Sequence, residues 1–462
     1  VNMFFNDTIA AIATASGAGA IAVIRLSGPD AIDLINEHFK PLGPKKLSDQ
    51  DSHTIHLGDI VFNHQIIDQA LVSLFKAPRS YTGENVVEIS CHGSTYIQQT
   101  LLNQLVATKR CRIAEPGEFT KRAFLNGKMS LTTAEAVADL ISSESEAAHK
   151  LAINQMRGGF TEALKDLRAQ LIHMASMIEL ELDFSGEDVT FASRDELKSL
   201  LEKLKKSIKE LLDSFAYGNA IKQGVSVALL GAPNAGKSTL LNALLNEERA
   251  IVSDIAGTTR DTIEDRLIID GILFRFIDTA GIRETSDQIE KLGIVRSIES
   301  AQKADIVILL IDALSATQTD LSTTISLLDN HNIDRSRTMI LLNKIDLNQD
   351  LNLEVPKNVQ FLSLSAKNKF AIDDLKHLLV QRVLQAKTGT NETVVSNSRH
   401  YGALHSALQE IFELESGIAQ NIPSDLFAIS LRKVIHHLGE ITGEVSTDDL
   451  LGSIFSNFCI GK

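Results

Sequence analysis

The sequence has few cysteines. It contains three in 462 residues, Cys91, Cys111 and Cys459. They are too few and too widely spaced for a disulfide framework or a zinc knuckle. We therefore expect reduced thiols and a cytoplasmic location.

Positive charge is scarce as well. Lysine and arginine total 45 against 59 aspartate and glutamate residues, which gives a formal net charge of −14. Neutralising phosphates needs Lys and Arg over the contact surface, so a broadly basic nucleic-acid-binding coat is excluded. The balance is reversed between Lys109 and Lys128. A local basic patch and an ordinary solvated surface both stay open there.

Apolar runs of membrane-spanning length are missing. The nearest approach, Thr8 to Ile24, has no Lys or Arg before it and is interrupted by Ser16-Gly17-Ala18-Gly19. This pattern predicts two short strands joined by a glycine turn rather than a signal or membrane segment. With 44% hydrophobic and 23% charged residues, the composition is typical of a soluble globular protein. Its length suggests about three domains.

The first half of the chain changes pattern once. Short apolar runs punctuated by Gly and Pro predict a mixed α/β domain over residues 1–121. Helical periodicity then covers residues 122–221. Capping boxes are predicted at Thr132 with Glu135 and at Ser193 with Glu196, and Gly158-Gly159 is expected to break the first long helix.

Residues 222–386 alternate apolar strands with helices, which is typical of a parallel, doubly wound sheet. The predicted strands are Val225–Leu230, Ile268–Asp270, Leu273–Ile277, Ile306–Ile311, Met339–Leu342 and Phe361–Leu364. After a polar linker, helical periodicity returns over residues 387–462. Helices on both sides indicate insertion of this domain into one helical domain, although two separate helical domains would give the same pattern.

Nucleotide-binding motifs follow one another in the order expected of a guanine-nucleotide site. They are Gly231-Ala-Pro-Asn234-Ala235-Gly236-Lys237-Ser238, Thr258-Thr259, Asp278-Thr279-Ala280-Gly281 and Asn343-Lys344-Ile345-Asp346. A single glycine-rich loop can arise by chance. The four together specify the ligand.

The first of these motifs joins a predicted strand to a predicted helix, so its backbone N–H groups face the phosphates. Lys237 adds positive charge at the β- and γ-phosphates, and Ser238, followed by Thr239, is expected to ligate Mg²⁺. We expect Asp278 to hold the ion through water. Thr259 is expected to join the shell when γ-phosphate is present, which makes it a switch residue.

The last motif selects the base. The Asp346 carboxylate can accept from the ring N–H and the exocyclic amine of guanine, and adenine offers no such pair. Asn343, Lys344 and Ile345 are expected to support the base. The segment Ser365-Ala366-Lys367 is expected to offer N–H groups to its carbonyl oxygen.

The motifs lack one catalytic group. Ile282 follows Gly281 where Ras-like proteins place a water-orienting glutamine. Glu284, Asp287 and Glu290 in the next polar stretch can each orient water, and spacing does not choose among them.

Segments throughout the chain carry a family resemblance. They are Gly231–Ser238, Asp254-Ile255-Ala256-Gly257-Thr-Thr-Arg-Asp261, Pro116-Gly-Glu-Phe119, Arg122–Asn126, Ile441-Thr-Gly-Glu444, Asp448–Gly452 and Phe458–Lys462. On these residues, nearly the whole chain resembles the tRNA-modification GTPases of the MnmE (TrmE) family. Cys91-His92-Gly93-Ser94 departs from the family's usual Gly-His-Gly-Gly, which leaves the role of His92 open.

The resemblance implies a homodimer of three-part subunits: an N-terminal domain that binds tetrahydrofolate and dimerises, a helical domain in two parts, and an inserted Ras-like G domain. It implies that the loop Ser253-Asp254-Ile255-Ala256-Gly257-Thr258 contacts the nucleotide. It also implies a potassium ion on Asn234, Ser253, Ile255 and Thr258 in place of an arginine finger. The family's catalytic glutamate falls on Glu290.

Family contacts to tetrahydrofolate fall on Arg25, Glu88, Lys128 and Lys462. Glu88 suits the N–H groups of a pterin ring, whereas Arg25 and Lys128 suit folate carboxylates. Cys459 is a possible site residue. Attack on a pyrimidine ring would need its thiolate and so a lowered pKa, which no sequence feature guarantees.

The implied function is a potassium-stimulated GTPase in tRNA modification. Together with an FAD- and NADH-dependent flavoprotein of the MnmG (GidA) type, in a heterotetrameric complex, it would add a carboxymethylaminomethyl group to carbon 5 of the wobble uridine. Tetrahydrofolate would supply one carbon, and no membrane partner is expected.

Two alternatives share the nucleotide motifs. One is a ribosome-assembly or RNA-binding GTPase of the Era or Der type, although the sequence shows neither a KH-like Gly-X-X-Gly loop nor a second G domain. The other is a regulatory switch that only binds effectors in its GTP state.

Overall fold

The structure is a computed structural model that describes residues 6–183, 194–247, 265–277, 298–348, 354, 356, 359–385, 394–420, 424–456 and 458–461. Its contacts divide the chain into two compact units. The first comprises Val1–Ala138, Met156–Arg168 and His436–Lys462, and the second comprises Asp139–Gln155 and Ala169–Ile435.

The first unit is built on a seven-stranded sheet in the order β3-β4-β5-β6-β2-β1-β7. Its strands and the two helices beside them are β1 (Thr8–Ile12), β2 (Ile21–Ser27), α1 (Ala31–His38), β3 (Phe39–Pro41), β4 (Thr54–Phe62), β5 (Gln65–Phe75), β6 (Val86–His92), α2 (Thr95–Ala107) and β7 (Cys111–Ile113). Strand β7 runs parallel to β1, and the other neighbours are antiparallel. The two strands predicted within Thr8 to Ile24 are confirmed, with Ile12 opposite Ile24.

The two faces of this sheet differ. Alternate residues such as Ile24, Val72 and Ile89 form a core with α1 and α2. On the opposite face the cross-strand neighbours include exposed apolar side chains, a pattern that antiparallel sheets allow because side chains alternate. We call the set Ile21, Val23, Ile55, Leu57 and Leu71 the open sheet face; four of its members are 43–67% exposed and Val23 is half-buried.

Helices follow the first sheet. They are α3 (Glu118–Leu125), α4 (Leu131–Ser142), α5 (Glu146–Met156), α6 (Gly159–Asp183), α7 (Arg194–Asp213) and α8 (Phe215–Gln223). The predicted break at Gly158 is confirmed, and this glycine has a φ of +85°. The capping box at Thr132 is wrong. The Ser130 hydroxyl accepts from the Thr133 N–H, while the Thr132 hydroxyl lies 2.6 Å from that of Thr161. Ser193 lies outside the described residues.

The second unit contains a six-stranded sheet in the order β13-β12-β11-β8-β10-β9. Its elements are β8 (Val225–Gly231), α9 (Lys237–Glu247), β9 (Asp265–Ile269), β10 (Ile272–Ile277), β11 (Ile306–Asp312), α10 (Gln318–Asn330), β12 (Thr338–Asn343), β13 (Gln360–Ser363) and α11 (Ile372–Gln385). Neighbours are parallel except for β9 and β10.

This second sheet has helices on both faces. Leu240 of α9 and Leu375 of α11 pack on one face. Leu328 of α10 and Ala301 pack on the other. The prediction of a doubly wound sheet is confirmed.

The described residues after the second sheet form the helices α12 (Ser398–Ala419), α13 (Ser424–Thr442) and α14 (Asp448–Phe455). Mixed α/β architecture with helices before and after the nucleotide-binding sheet agrees with the predicted fold class. Among the described helices, none combines the length and hydropathy that crossing a bilayer requires.

Candidate functional site

The glycine-rich loop connects β8 to α9. Its Asn234 adopts a left-handed backbone with φ +63°. Gly236 has φ +95°, and a Cβ there would lie 2.3 Å from the Asn343 amide nitrogen. Only glycine fits this position, so the loop can approach both a ligand and the base-recognition segment.

Lys237 stands at the first turn of α9. Its ammonium donates to the backbone carbonyls of Gly231 (2.6 Å) and Ala232 (3.3 Å). Burial lowers the pKa of Lys237 because desolvation disfavours the ammonium. A phosphate beside it would supply the missing counter-charge. Ser238 and Thr239 follow it on exposed positions of α9.

Asn343 joins three predicted segments of the site. It ends β12 and is 2% exposed. Its side-chain N–H donates to the Ala235 carbonyl at 2.9 Å, and its side-chain oxygen accepts from the N–H groups of Lys344 (2.9 Å) and Ala366 (3.0 Å). One amide therefore fixes the glycine-rich loop relative to both halves of the predicted base site.

Asp346 lies at the exposed end of this arrangement. Its carboxylate accepts from the Ser365 hydroxyl at 2.6 Å. Ser365 and Phe370 exchange two backbone hydrogen bonds, which closes the tight loop containing Ala366 and Lys367. The Asp346 side chain, which would read guanine, is thus held by Ser365 and is exposed to solvent.

Several predicted site residues lie outside the described residues. They are Ser253, Asp254, Ile255, Ala256, Gly257, Thr258, Thr259, Asp278, Thr279, Ala280, Gly281, Glu290 and Lys462. Their roles stay predictions.

The predicted folate residues Arg25 and Glu88 form a pair. They are register partners on β2 and β6, and Arg25 Nε donates to Glu88 Oε1 at 2.8 Å. Both are about a quarter exposed, at 22% and 25%. The guanidinium also lies over the rings of Tyr81 (5.5 Å) and Phe119 (5.7 Å). A ligand that binds both side chains would have to insert beside this ion pair.

Lys128 lies between α3 and α4 and contacts the loop between β5 and β6, which carries Tyr81. Its ammonium donates to the Pro78 carbonyl at 2.9 Å. Sequence reasoning missed Tyr81, because its contact with Arg25 joins residues far apart in the chain. The structure brings Arg25 and Glu88 into direct contact and links Lys128 to them through one loop.

The C-terminal segment reaches the same region. The Gly117 N–H donates to the Cys459 carbonyl at 3.3 Å, and Arg25 Nη1 donates to the Gly461 carbonyl at 3.4 Å. Cys459 is exposed, whereas Cys91 and Cys111 are buried. Burial raises the pKa of each buried thiol to about 11. Of the three, Cys459 is the thiol open to solvent.

His92 has a partner that sequence reasoning also missed. Its Nδ1 lies 2.7 Å from Asp68 Oδ1, and its backbone N–H donates to Asp68 Oδ2 at 2.8 Å. The imidazole is 70% exposed and the carboxylate 7%. A buried carboxylate thus orients an exposed ring.

The segment from Lys109 to Lys128 is not a free basic patch. Arg110 pairs with Glu37 and Asp30, and Arg112 pairs with Asp7 and Glu118. Arg122 is completely buried. The excess of positive charge is therefore largely compensated within the fold.

The mostly parallel sheet, the glycine-rich loop and the attached base-recognition segment define a P-loop protein specific for guanine nucleotides. The family model described as "MnmE helical domain" matches residues 131–459, and that described as "GTP-binding protein TrmE N-terminus" matches residues 8–128.

Full-length relatives agree. The chain is 51% identical over 475 residues to tRNA modification GTPase MnmE of Christiangramia forsetii, and 52% identical over 466 residues to that of Flavobacterium psychrophilum, with 100% of both chains covered in each case. It is 48% identical over 469 residues to the Bacteroides thetaiotaomicron protein of the same name, with 99% of each covered. The chain belongs to the MnmE family of tRNA modification GTPases.

Proposed function

We propose that this protein is a potassium-stimulated GTPase that acts in the modification of the wobble uridine of tRNA. With an FAD- and NADH-dependent MnmG-type flavoprotein, it would add a carboxymethylaminomethyl group at carbon 5 and use a one-carbon unit from tetrahydrofolate. The observation that carries this proposal is identity of 51% over the full length to a relative named tRNA modification GTPase MnmE. The Era or Der type alternative is not retained, because the two family models account for residues 8–128 and 131–459.

The nucleotide chemistry rests on residues of the second unit. Lys237 would bind the β- and γ-phosphates, whose negative charge would offset the desolvation that lowers the pKa of its ammonium. Ser238 and Thr259 would hold Mg²⁺, with Asp278 acting through water; the ion neutralises phosphate charge. Asp346, fixed by Ser365, would read the base.

Hydrolysis needs groups in place of the missing glutamine. We propose that Asn234, Ser253, Ile255 and Thr258 hold K⁺, a charge placed where it develops on the leaving oxygen. Glu290 would orient the attacking water. Asn234 supports this assignment, since its exposed side chain has no hydrogen-bonding partner within the described part of the chain.

A matched-salt comparison tests the potassium assignment. GTP turnover by the full-length protein should be much faster in KCl than in NaCl of the same concentration. Equal rates in the two salts would remove the potassium assignment and leave a GTPase of another catalytic type.

The folate site would be formed by Arg25, Glu88, Lys128 and Lys462. Arg25 and Glu88 lie on the same side of the first sheet as the open sheet face. A fluorescence titration with a reduced folate should show saturable binding that Glu88→Gln weakens. Glu37→Gln is the matched control, because Glu37 also pairs with an arginine of this unit. Absence of binding to the wild type would favour a switch that only binds effectors.

A second copy of the chain would cover the open sheet face. Exposed isoleucine and leucine side chains on neighbouring strands form an apolar surface of the kind that homodimers bury. We accordingly propose a cytoplasmic homodimer with an N-terminal domain over residues 1–121, a helical domain over 122–221 and 387–462, and a G domain over 222–386. Cys459 stays a possible nucleophile at the C-terminal segment.

A further inference from the structure

Asp312 contacts the base-recognition segment from a neighbouring strand. It is the last residue of β11, and its side chain is 15% exposed. One carboxylate oxygen accepts from the Lys344 ammonium at 2.6 Å. The other accepts from the Leu314 N–H at 3.0 Å. The carboxylate is therefore fixed by its own loop and oriented toward Lys344.

Lys344 connects this carboxylate to the glycine-rich loop. The same ammonium donates to the backbone carbonyl of Asn234 at 2.8 Å. Asn234 and Lys344 both have left-handed backbones, with φ of +63° and +67°. Residues other than glycine rarely adopt a left-handed backbone, so surrounding contacts must hold Asn234 and Lys344 in this conformation.

We propose that Asp312 is a positioning residue for the monovalent-cation site. Its carboxylate keeps the Lys344 ammonium on the Asn234 carbonyl, and this bond fixes the loop from which the Asn234 side chain reaches the cation. The Asp312 carboxylate also compensates the charge of Lys344, which would otherwise repel a cation bound nearby. The inference rests on the proposed function, because it assumes that Asn234 is a potassium ligand.

Guanine recognition has separate supports. Asn343 holds Ala235 and Ala366, and Ser365 holds Asp346. None of these bonds involves Asp312. Loss of the Asp312 charge should therefore impair activation by potassium more than it impairs nucleotide affinity.

The test is Asp312→Asn in the full-length protein. Asparagine keeps the shape and an oxygen for the Leu314 N–H, but it removes the charge. GTP turnover is measured against KCl concentration, with choline chloride keeping the ionic strength constant. The affinity for a fluorescent GDP is measured separately at saturating Mg²⁺.

We expect the potassium concentration for half-maximal turnover to rise about fivefold or more, a coupling of ordinary size. The dissociation constant for GDP should change by less than about threefold, since the base-site hydrogen bonds are kept. Asp312→Glu should restore part of the potassium response. The control Asp329→Asn removes a carboxylate that pairs with Arg335 elsewhere in the same domain and should match the wild type.

An unchanged potassium curve for Asp312→Asn would overturn the proposal. So would a loss of GDP affinity as large as the shift in the potassium curve, which would assign Asp312 to the base site. If Asp312→Asn does not fold, judged by circular dichroism, Asp312→Ser replaces it in the same two measurements: a shifted potassium curve supports the proposal and the wild-type curve overturns it. If GTP turnover by the wild-type protein does not depend on the KCl concentration, both the proposed function and this inference are contradicted.

Discussion

Among the charged residues of the N-terminal sheet domain, Arg122 should be the one whose substitution lowers folding stability most. Its side chain is 0% exposed and pairs with Asp7 (2.8 Å), Glu118 (2.9 Å) and Glu84 (3.2 Å). Arg122→Met leaves two largely buried carboxylates without this partner, a change that costs about 3–5 kcal/mol. Arg112 still pairs with Glu118 at 2.6 Å. We therefore expect the lower part of that range, about 3 kcal/mol.

The buried cysteines offer a local assay for this loss. Cys91 and Cys111 lie in the core of the sheet and react with a thiol reagent when this domain opens, whereas Cys459 reacts at once. A loss of about 3 kcal/mol should accelerate labelling of the two buried thiols by roughly two orders of magnitude. Mass spectrometry after timed labelling measures each cysteine separately.

Lys121→Met is the matched control for this experiment. Lys121 is the preceding residue, half-buried, and has no ion pair within the described part of the chain. Its substitution should leave labelling within about threefold of the wild type, as expected of a surface change. Equal labelling rates for the two variants would refute the account of Arg122 as a buried ionic centre.

Three further predictions concern the site and its support. Gly236→Ala should weaken GDP binding by tenfold to a hundredfold, about 1–3 kcal/mol of strain, because the new Cβ would lie 2.3 Å from Asn343; Gly402→Ala, with open space around it, should leave the fluorescence titration unchanged. Burial raises the pKa of Glu118, but hydrogen bonds from two arginines and a backbone N–H outweigh it and lower the pKa below 4.5. Its stabilisation is therefore full above pH 4.5 and is lost as the pH falls through the lowered pKa, so Glu118→Gln should flatten the acid unfolding curve below that pH. Glu290→Ala should keep GTP affinity and lose most single-turnover hydrolysis, and surviving hydrolysis would reassign the catalytic carboxylate.

The nucleotide-binding sheet could be predicted from the sequence because its central strands β8, β11 and β12 are buried on both faces. Such strands appear as continuous apolar runs, as in Ile306–Ile311, and each predicted run coincides with or overlaps an observed strand. The helical region was less well predicted. The capping box expected at Thr132 is wrong, and α8 contains Gly218, although glycine disfavours helix interiors. This glycine is required by a distant contact, since a Cβ there would lie 2.2 Å from the Val395 carbonyl.

Local motifs predicted the parts of the site that are contiguous in sequence. The motif that contains Asn343, Lys344 and Asp346 contacts the glycine-rich loop and Ser365, segments that the P-loop fold brings together. Contacts between distant residues gave no local signal. Asp68 lies 24 residues from His92, and Asp312 lies 32 residues from Lys344. One sequence signal was available for the second pair: Asp312 is a polar residue at the end of a buried strand.

The most direct test of the proposed function is the nucleoside composition of tRNA from cells that lack this protein. Mass spectrometry should show loss of the carboxymethylaminomethyl group at carbon 5 of the wobble uridine. The wild-type gene should restore it, and a Glu290→Ala gene should not. Unchanged wobble uridines in the cells without the protein would contradict the account.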